Sequence, residues 1–134
     1  MAQKILSFRR VIPMIYAYNT PDVLYNEGWT KIGYTERQTV EERIYQQTHT
    51  AGIRAALAWK DNAMYKDGTG EYFTDYDFHA YLETEAHATR RPKSEWFQLD
   101  GTTSLQYFDC FARRMGVDAA KEHAAYELRA EQAQ

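Results

Sequence analysis

Two short segments near the start of the chain share one alternating pattern, which constrains the fold more than any other feature of the sequence. The segments Pro13 to Thr20 and Trp29 to Tyr34 are rich in aromatic and β-branched residues, which favour extended structure. Successive side chains of a strand point to opposite faces, so Ile15 and Ile32 are predicted to share one face. The alternate positions carry Tyr16, Tyr18, Lys31 and Gly33. If the two strands pair, this second face brings phenol and ammonium groups together.

A capping box predicts the first helix. Thr39 and Glu42 have the spacing at which each side chain accepts a hydrogen bond from the backbone amide of the other. The helix is predicted to run to about Gln47. Arg43 adjoins its apolar stripe, so we expect the guanidinium at the margin of the core rather than on the far side of the helix.

Further elements are predicted from apolar periodicity and from the turn or capping residues that bound them. They are a third strand from Ile53 to Trp59, a helix from Tyr76 to about Ala86 capped by Asp75 or Thr74, a short strand from Glu95 to Leu99 closed by an Asp100-Gly101 turn, and a helix opened by Thr103 with Gln106 completing a second capping box. We therefore expect an α/β domain of the α+β kind, with a small, mixed, largely antiparallel central sheet flanked by helices.

The chain of 134 residues is long enough for one compact domain with a terminal extension. We assign residues 1–116 to the folded domain. Residues 117–134 are rich in Ala and Glu and are predicted to be a helical linker or the start of a following domain.

Composition bounds the cellular setting. The net charge of −3 does not by itself indicate a nucleic-acid binder. The single cysteine, Cys110, excludes an internal disulfide, suits a reducing compartment and is predicted to be a small buried apolar residue. No apolar run approaches the roughly 20 residues that span a bilayer. We expect a cytoplasmic protein with no membrane partner.

One set of motifs is more specific. Met14-Ile15-Tyr16, Lys31-Ile32-Gly33-Tyr34-Thr35, Arg43 in the following helix and Glu95-Trp96-Phe97 occur in this order along the chain. Together they resemble the core of the GIY-YIG nucleases over about residues 11 to 115, and most closely the phage- and restriction-associated branch with a Lys-Ile-Gly-Tyr-Thr motif. Met14 stands where that family usually has Gly, and Lys31 stands where it usually has Tyr.

The resemblance implies a metal-dependent endonuclease that hydrolyses phosphodiester bonds in DNA, with Tyr16, Lys31, Arg43 and Glu95 as catalytic residues. Tyr16 would align or deprotonate the attacking water, and the cationic Lys31 beside it, together with a nearby metal, would favour deprotonation of the phenol. Arg43 would hold phosphate oxygens. Glu95 would anchor one Mg²⁺ or Mn²⁺ ion, weakly in the absence of substrate.

Other residues are predicted to assist. Tyr18, Tyr34, His49 and His79 are candidates for supporting the site, although His79 also suits a buried, hydrogen-bonded contact. Arg91 and Lys93, in the basic loop before Glu95, are candidates for contacting the phosphate backbone of a nucleic acid.

Three of the catalytic candidates also have a simpler interpretation. Tyr16 could only pack, Lys31 could discourage edge-to-edge aggregation of the sheet, and Arg43 could form a surface ion pair. The alternatives at the level of function are a catalytically idle nucleic-acid-binding module and a protein-interaction domain on the same fold.

The end of the chain suggests a longer protein. The segment Tyr126 to Gln132 resembles the short Leu-Arg-x-Glu-Gln segment that leads into the first nucleotide-binding motif of many DEAD-type helicases. This resemblance implies a C-terminal helicase domain of restriction type, which would supply translocation and much of the affinity for DNA.

Overall fold

The computed structural model describes residues 12–114. Its first two strands form the antiparallel pair that the alternating pattern predicts. Strand β1 spans Met14–Asn19 and strand β2 spans Thr30–Thr35. In their register Tyr16 lies opposite Gly33, and Tyr18 lies opposite Lys31. The four polar or small positions therefore share one face of the hairpin, as the sequence predicts.

The sheet has four strands in the order β3-β1-β2-β4, and every pairing is antiparallel. Strand β3 spans Ala56–Asn62, and the two-residue strand β4 is Trp96–Phe97. The third strand therefore starts and ends three residues later than predicted. Its limits follow those of β1, because Ala56 pairs with the last residue of β1 and Asn62 pairs with the first.

Three α-helices complete the fold: α1 (Val40–Thr48), α2 (Asp75–Thr84) and α3 (Gly101–Ala112). Helix α1 begins with the predicted capping box of Thr39 and Glu42. Helix α3 begins earlier than predicted, because Asp100 and not Thr103 is its N-cap. The Asp100 carboxylate accepts a hydrogen bond from the Thr103 amide at 2.7 Å. The predicted second capping box and the Asp100-Gly101 turn are therefore wrong.

The two faces of the sheet bury different kinds of side chain. One face packs against α2 and α3 and forms the main apolar core, which includes Ile15, Ile32, Phe78, Phe97 and Phe108. Burying each large apolar side chain of this kind stabilises the fold by about 1.5–3 kcal/mol. The opposite face packs against α1 and forms a smaller cluster of Tyr16, Tyr18, Val40 and Ile44. The predicted catalytic tyrosine lies within this smaller cluster.

The expected α+β class is confirmed, with a sheet that is antiparallel throughout the described residues rather than mixed. Cys110 is exposed on α3, so the prediction that it is buried is wrong. None of the helices between residues 12 and 114 has the length and apolarity that a membrane span requires. The predicted domain boundary at residue 116 and the helicase-like segment lie outside the described residues.

Candidate active site

The position of Tyr16 depends on the glycine opposite it. The Tyr16 ring lies directly over Gly33, and a Cβ atom at Gly33 would approach Tyr16 Cζ, Cε1 and the hydroxyl oxygen more closely than 3.0 Å, which real Cβ atoms essentially never do. Glycine at this position therefore makes the room that lets the phenol lie flat across β2. The Gly of the Lys-Ile-Gly-Tyr-Thr motif thus has a steric role in the site.

Helix α1 covers the two tyrosines with a glutamine. The hydroxyls of Tyr16 and Tyr18 both donate to Gln47 Oε1, at 3.4 and 3.1 Å. The two rings are stacked, with centroids 6.2 Å apart. The sequence analysis did not assign Gln47 to the site. Its spacing of four residues from Arg43 puts both side chains on one face of the helix and could have indicated it.

Lys31 and Glu95 meet at the other end of this face. The backbone carbonyl of Glu95 accepts a hydrogen bond from the Ile32 amide at 2.9 Å, which extends the pairing of β2 with β4 by one residue. The Glu95 carboxylate then lies with Oε1 3.7 Å from Lys31 Nζ, and the Lys31 and Glu95 side chains are 18% and 34% exposed. Lys31 Nζ also lies 5.9 Å from the Tyr18 ring centroid. Lys31 is therefore a partner of Glu95 and Tyr18 rather than of Tyr16.

Burial sets the protonation of this group. Burial raises the pKa of Tyr16 to about 12, although the Gln47 hydrogen bond and the Arg43 charge oppose the rise. Burial also raises the pKa of the Glu95 carboxyl, with Lys31 acting in the opposite direction. The sequence analysis expected a cation beside Tyr16 to favour the phenolate. Lys31 is not beside Tyr16, and removal of the phenol from water raises its pKa more than the Arg43 charge lowers it.

The raised pKa of Tyr16 predicts a loss of stability at alkaline pH. The free Tyr pKa is near 10, so between pH 10 and 12 the unfolded chain loses the phenol proton while the folded protein keeps it. The stabilisation is complete below pH 10 and is lost as the pH rises through 12. Because of Tyr16, the free energy of unfolding of the wild-type protein should fall by on the order of 2 kcal/mol over this interval. We expect Tyr16→Phe to lack this fall.

Urea denaturation at pH 8 and at pH 11 measures about 1.4 kcal/mol of this difference, because pH 11 lies one pH unit above the free Tyr pKa. The matched control is Tyr76→Phe, because Tyr76 is exposed. An equal decrease in the wild-type protein and in Tyr16→Phe would contradict the burial of the Tyr16 hydroxyl.

A second group of polar side chains adjoins Glu95 from helix α2. Ligand atoms of Asp75, His79 and Glu95 all lie within 4.8 Å of one another. His79 is buried, with Nε2 2.9 Å from the Ile32 carbonyl oxygen. The predicted buried hydrogen bond of His79 is therefore present. Asp75 was considered only as a helix cap, although its spacing of four residues from His79 puts both on one helix face.

The other supporting candidates lie away from Tyr16. Tyr34 pairs with Ile15 and packs against the main core, and burial followed by the charges of Glu36, Asp75 and Asp77 raises its pKa. It therefore lies on the opposite face of the sheet from Tyr16. His49 is exposed at the end of α1, where its ring stacks on Tyr45 with centroids 4.3 Å apart.

The two residues predicted to contact nucleic acid differ in their surroundings. Arg91 donates to Asn26 Oδ1 at 2.7 Å and to the Tyr25 carbonyl oxygen at 3.1 Å. Its guanidinium also lies 4.5 Å from the Trp29 ring centroid. Arg91 therefore links the β1–β2 connection to the loop before Glu95. Lys93 is exposed in the same loop, with a φ of 56° in the left-handed region.

The structure thus brings Tyr16, Lys31, Arg43 and Glu95 into one electrostatic group. The Arg43 and Glu95 charges both act on the Tyr16 phenol, and the Lys31 and Arg43 charges both act on the Glu95 carboxyl. Arg43 and Glu95 are partly exposed, whereas Tyr16 has no exposed surface. Any ligand would therefore reach the charged members of the group before it reached the phenol.

Comparison of the chain with models of protein families, with curated proteins and with solved structures found no match. The resemblance to the GIY-YIG nucleases rests on the motif residues themselves and on their order in the chain.

Proposed function

We propose that this chain is a metal-dependent endonuclease of the GIY-YIG type, which hydrolyses phosphodiester bonds in DNA. One observation carries the proposal. Tyr16, Lys31, Arg43 and Glu95 come from β1, β2, α1 and the residue before β4, and yet they lie close together: Lys31 pairs with Glu95, and the charges of Arg43 and Glu95 act on the Tyr16 phenol. If each of these residues had only a structural role, four separate segments would have no reason to bring a phenol, an ammonium, a guanidinium and a carboxylate together.

The residue types suit phosphodiester hydrolysis. The planar guanidinium of Arg43 can donate to two phosphate oxygens and stabilise the negative charge that develops on them. The neutral Tyr16 phenol can accept a hydrogen bond from an attacking water and align it, while its own proton is directed to Gln47 Oε1. Lys31 holds Glu95 in place through their ion pair. In this mechanism the Tyr16 hydroxyl orients the water and stays protonated. The attacking water releases its proton to solvent, and the leaving oxygen takes up a proton from solvent.

The donor atoms beside this group fit a divalent cation. Glu95 and Asp75 supply carboxylate oxygens, and His79 supplies a ring nitrogen within the same 4.8 Å. A bound Mg²⁺ or Mn²⁺ would polarise the phosphate and stabilise the charge on the leaving oxygen. Glu95 would be one of the residues that hold that ion.

We further propose that the module belongs to a larger cytoplasmic restriction or DNA-processing protein with a helicase domain after residue 134. The net charge of −3 supports the proposal that another domain provides most of the affinity for DNA. In such a protein the helicase domain would supply most contacts to the phosphate backbone, and this module would supply the cleavage site.

A catalytically idle DNA-binding module is the second candidate, and one specific observation favours it. Tyr16 has no exposed surface and donates to Gln47, so its hydroxyl is engaged within the protein. A nuclease must open a path for water to this hydroxyl when substrate binds. An idle module would have no need to do so.

Cleavage and binding measured together distinguish the two candidates. We expect the wild-type chain to nick supercoiled plasmid with Mg²⁺ or Mn²⁺, and Glu95→Ala to lose nicking by at least about a hundredfold while it retards DNA at low salt as the wild type does. An idle module would bind DNA without nicking it in either form. A protein-interaction domain would not retard DNA at low salt, where phosphate contacts are strongest.

A further inference from the structure

The group of Asp75, His79 and Glu95 has the character of a complete metal site rather than of a single anchoring carboxylate. We propose that these three side chains together hold one divalent transition-metal ion, and that they do so in the absence of DNA. The inference deepens the proposed nuclease function. The catalytic use of the ion rests on the proposed function, whereas the binding of the ion does not.

His79 is prepared as a ligand by its hydrogen bond to the backbone. The Ile32 carbonyl oxygen can only accept, so His79 Nε2, 2.9 Å away, must be the donor. The ring proton is therefore on Nε2, and Nδ1 carries the lone pair. A hydrogen bond from one ring nitrogen to a carbonyl oxygen is the arrangement that orients metal-binding histidines and fixes their tautomer. The ring is 1% exposed, so its orientation is also fixed by packing.

The two carboxylates near this ring are carried by two different elements. Asp75 is the first residue of α2, one helical turn before His79, and Glu95 is tied to β2 through its backbone carbonyl. Carboxylates this close repel each other unless a proton or a cation lies near both. A divalent ion would relieve the repulsion and use both groups as ligands.

Two side-chain cations lie near the proposed ligand atoms of His79 and Glu95, and neither contact is short. Arg90 Nη2 lies 3.4 Å from His79 Nδ1, and Lys31 Nζ lies 3.7 Å from Glu95 Oε1. Arg90 is anchored elsewhere by hydrogen bonds to the Ser94 carbonyl oxygen and to Glu83, at 2.6 and 2.9 Å. Arg90 can therefore move away from His79 Nδ1 when an ion binds there and keep its hydrogen bonds to Ser94 and Glu83.

The nitrogen ligand determines which ions the site prefers. Mg²⁺ and Ca²⁺ favour sites made of oxygen ligands, whereas ions such as Mn²⁺ also accept imidazole. We expect the site to bind Mn²⁺ at least about tenfold more tightly than Mg²⁺. This differs from the weak, substrate-dependent binding expected of Glu95 alone.

Isothermal titration of the 134-residue chain with MnCl₂, without DNA, tests the inference. We expect one Mn²⁺ per chain, with affinity reduced at least about tenfold in each of Asp75→Asn, His79→Gln and Glu95→Gln. The matched control is Glu85→Gln, because Glu85 is an exposed carboxylate at the end of the same helix. Circular dichroism establishes that each variant is folded. Asp75→Asn keeps the test decisive if His79→Gln does not fold, because Asp75 lies at the half-buried start of α2.

The outcomes separate this inference from the proposed function. An effect confined to Glu95→Gln would overturn the three-ligand site, and so would an absence of Mn²⁺ binding or equal binding of Mg²⁺. Binding that depends on all three residues, in a protein that does not cleave DNA, would support the metal site and contradict the nuclease. Cleavage that depends on Glu95 but not on Asp75 or His79 would support the nuclease and contradict the three-ligand site.

Discussion

Replacing Gly33 by alanine is expected to lower the free energy of unfolding by about 1–3 kcal/mol and to slow DNA cleavage at least about tenfold. The added Cβ would collide with the Tyr16 ring, which is enclosed by the sheet and by α1 and cannot simply swing away. Either the ring or strand β2 must shift. A displacement of the aligning hydroxyl by about 1 Å is enough to reduce the rate a hundredfold in a well-organised site.

Tyr16→Ala provides the matched control for the stability part of this prediction. If the collision with the ring is the cause, Gly33→Ala should destabilise the wild-type background and have little effect in a Tyr16→Ala background. Urea denaturation of the four proteins measures this coupling. Equal destabilisation in both backgrounds would show that Gly33 is required for a reason other than the room it gives to Tyr16.

Replacing Arg43 by lysine is expected to reduce the cleavage rate by about 10²–10³ and to change DNA binding much less. Lysine keeps the positive charge but lacks the planar fork that can hold two phosphate oxygens at once. Arg43 lies on α1 beside Gln47, and its charge acts on both Tyr16 and Glu95. A substitution that conserves charge therefore isolates the geometric contribution of the guanidinium.

The control for this variant is Arg37→Lys, because Arg37 is exposed just before α1. Single-turnover cleavage and gel retardation should be followed for both variants. A similar, small effect of the two substitutions on cleavage would assign Arg43 to ordinary surface electrostatics. A loss of binding in proportion to the loss of cleavage would assign it to DNA affinity rather than to the chemical step.

The parts of the fold that local rules determine could be predicted from the sequence. The alternation in β1 and β2 predicted that Tyr16 and Lys31 share a face, because a strand has only two faces and one register buried the isoleucines. The Thr39 capping box predicted the start of α1, because both halves of the box lie within four residues. Strands β1 and β2 and helix α1 carry three of the four predicted catalytic residues.

The parts that depend on distant partners could not be predicted in the same way. The limits of β3 are set by the ends of β1, about forty residues earlier, and not by its own composition. The start of α3 was assigned to Thr103, because the competing cap at Asp100 had been interpreted as a turn. The burial of Tyr16 was not predicted for a related reason. Proximity to charge can be inferred from spacing, but complete burial depends on how α1 packs.

The most direct test of the nuclease assignment is a time course of supercoiled plasmid nicking in Mn²⁺, with the wild type beside Glu95→Ala and with Glu85→Ala as the exposed-carboxylate control. We expect the wild type and Glu85→Ala to nick at similar rates, with nicking stopped by a chelator and at least about a hundredfold slower in Glu95→Ala. Nicking that is equal in all three proteins, or that continues after chelation, would contradict the assignment. So would a wild-type chain that binds plasmid and leaves it intact.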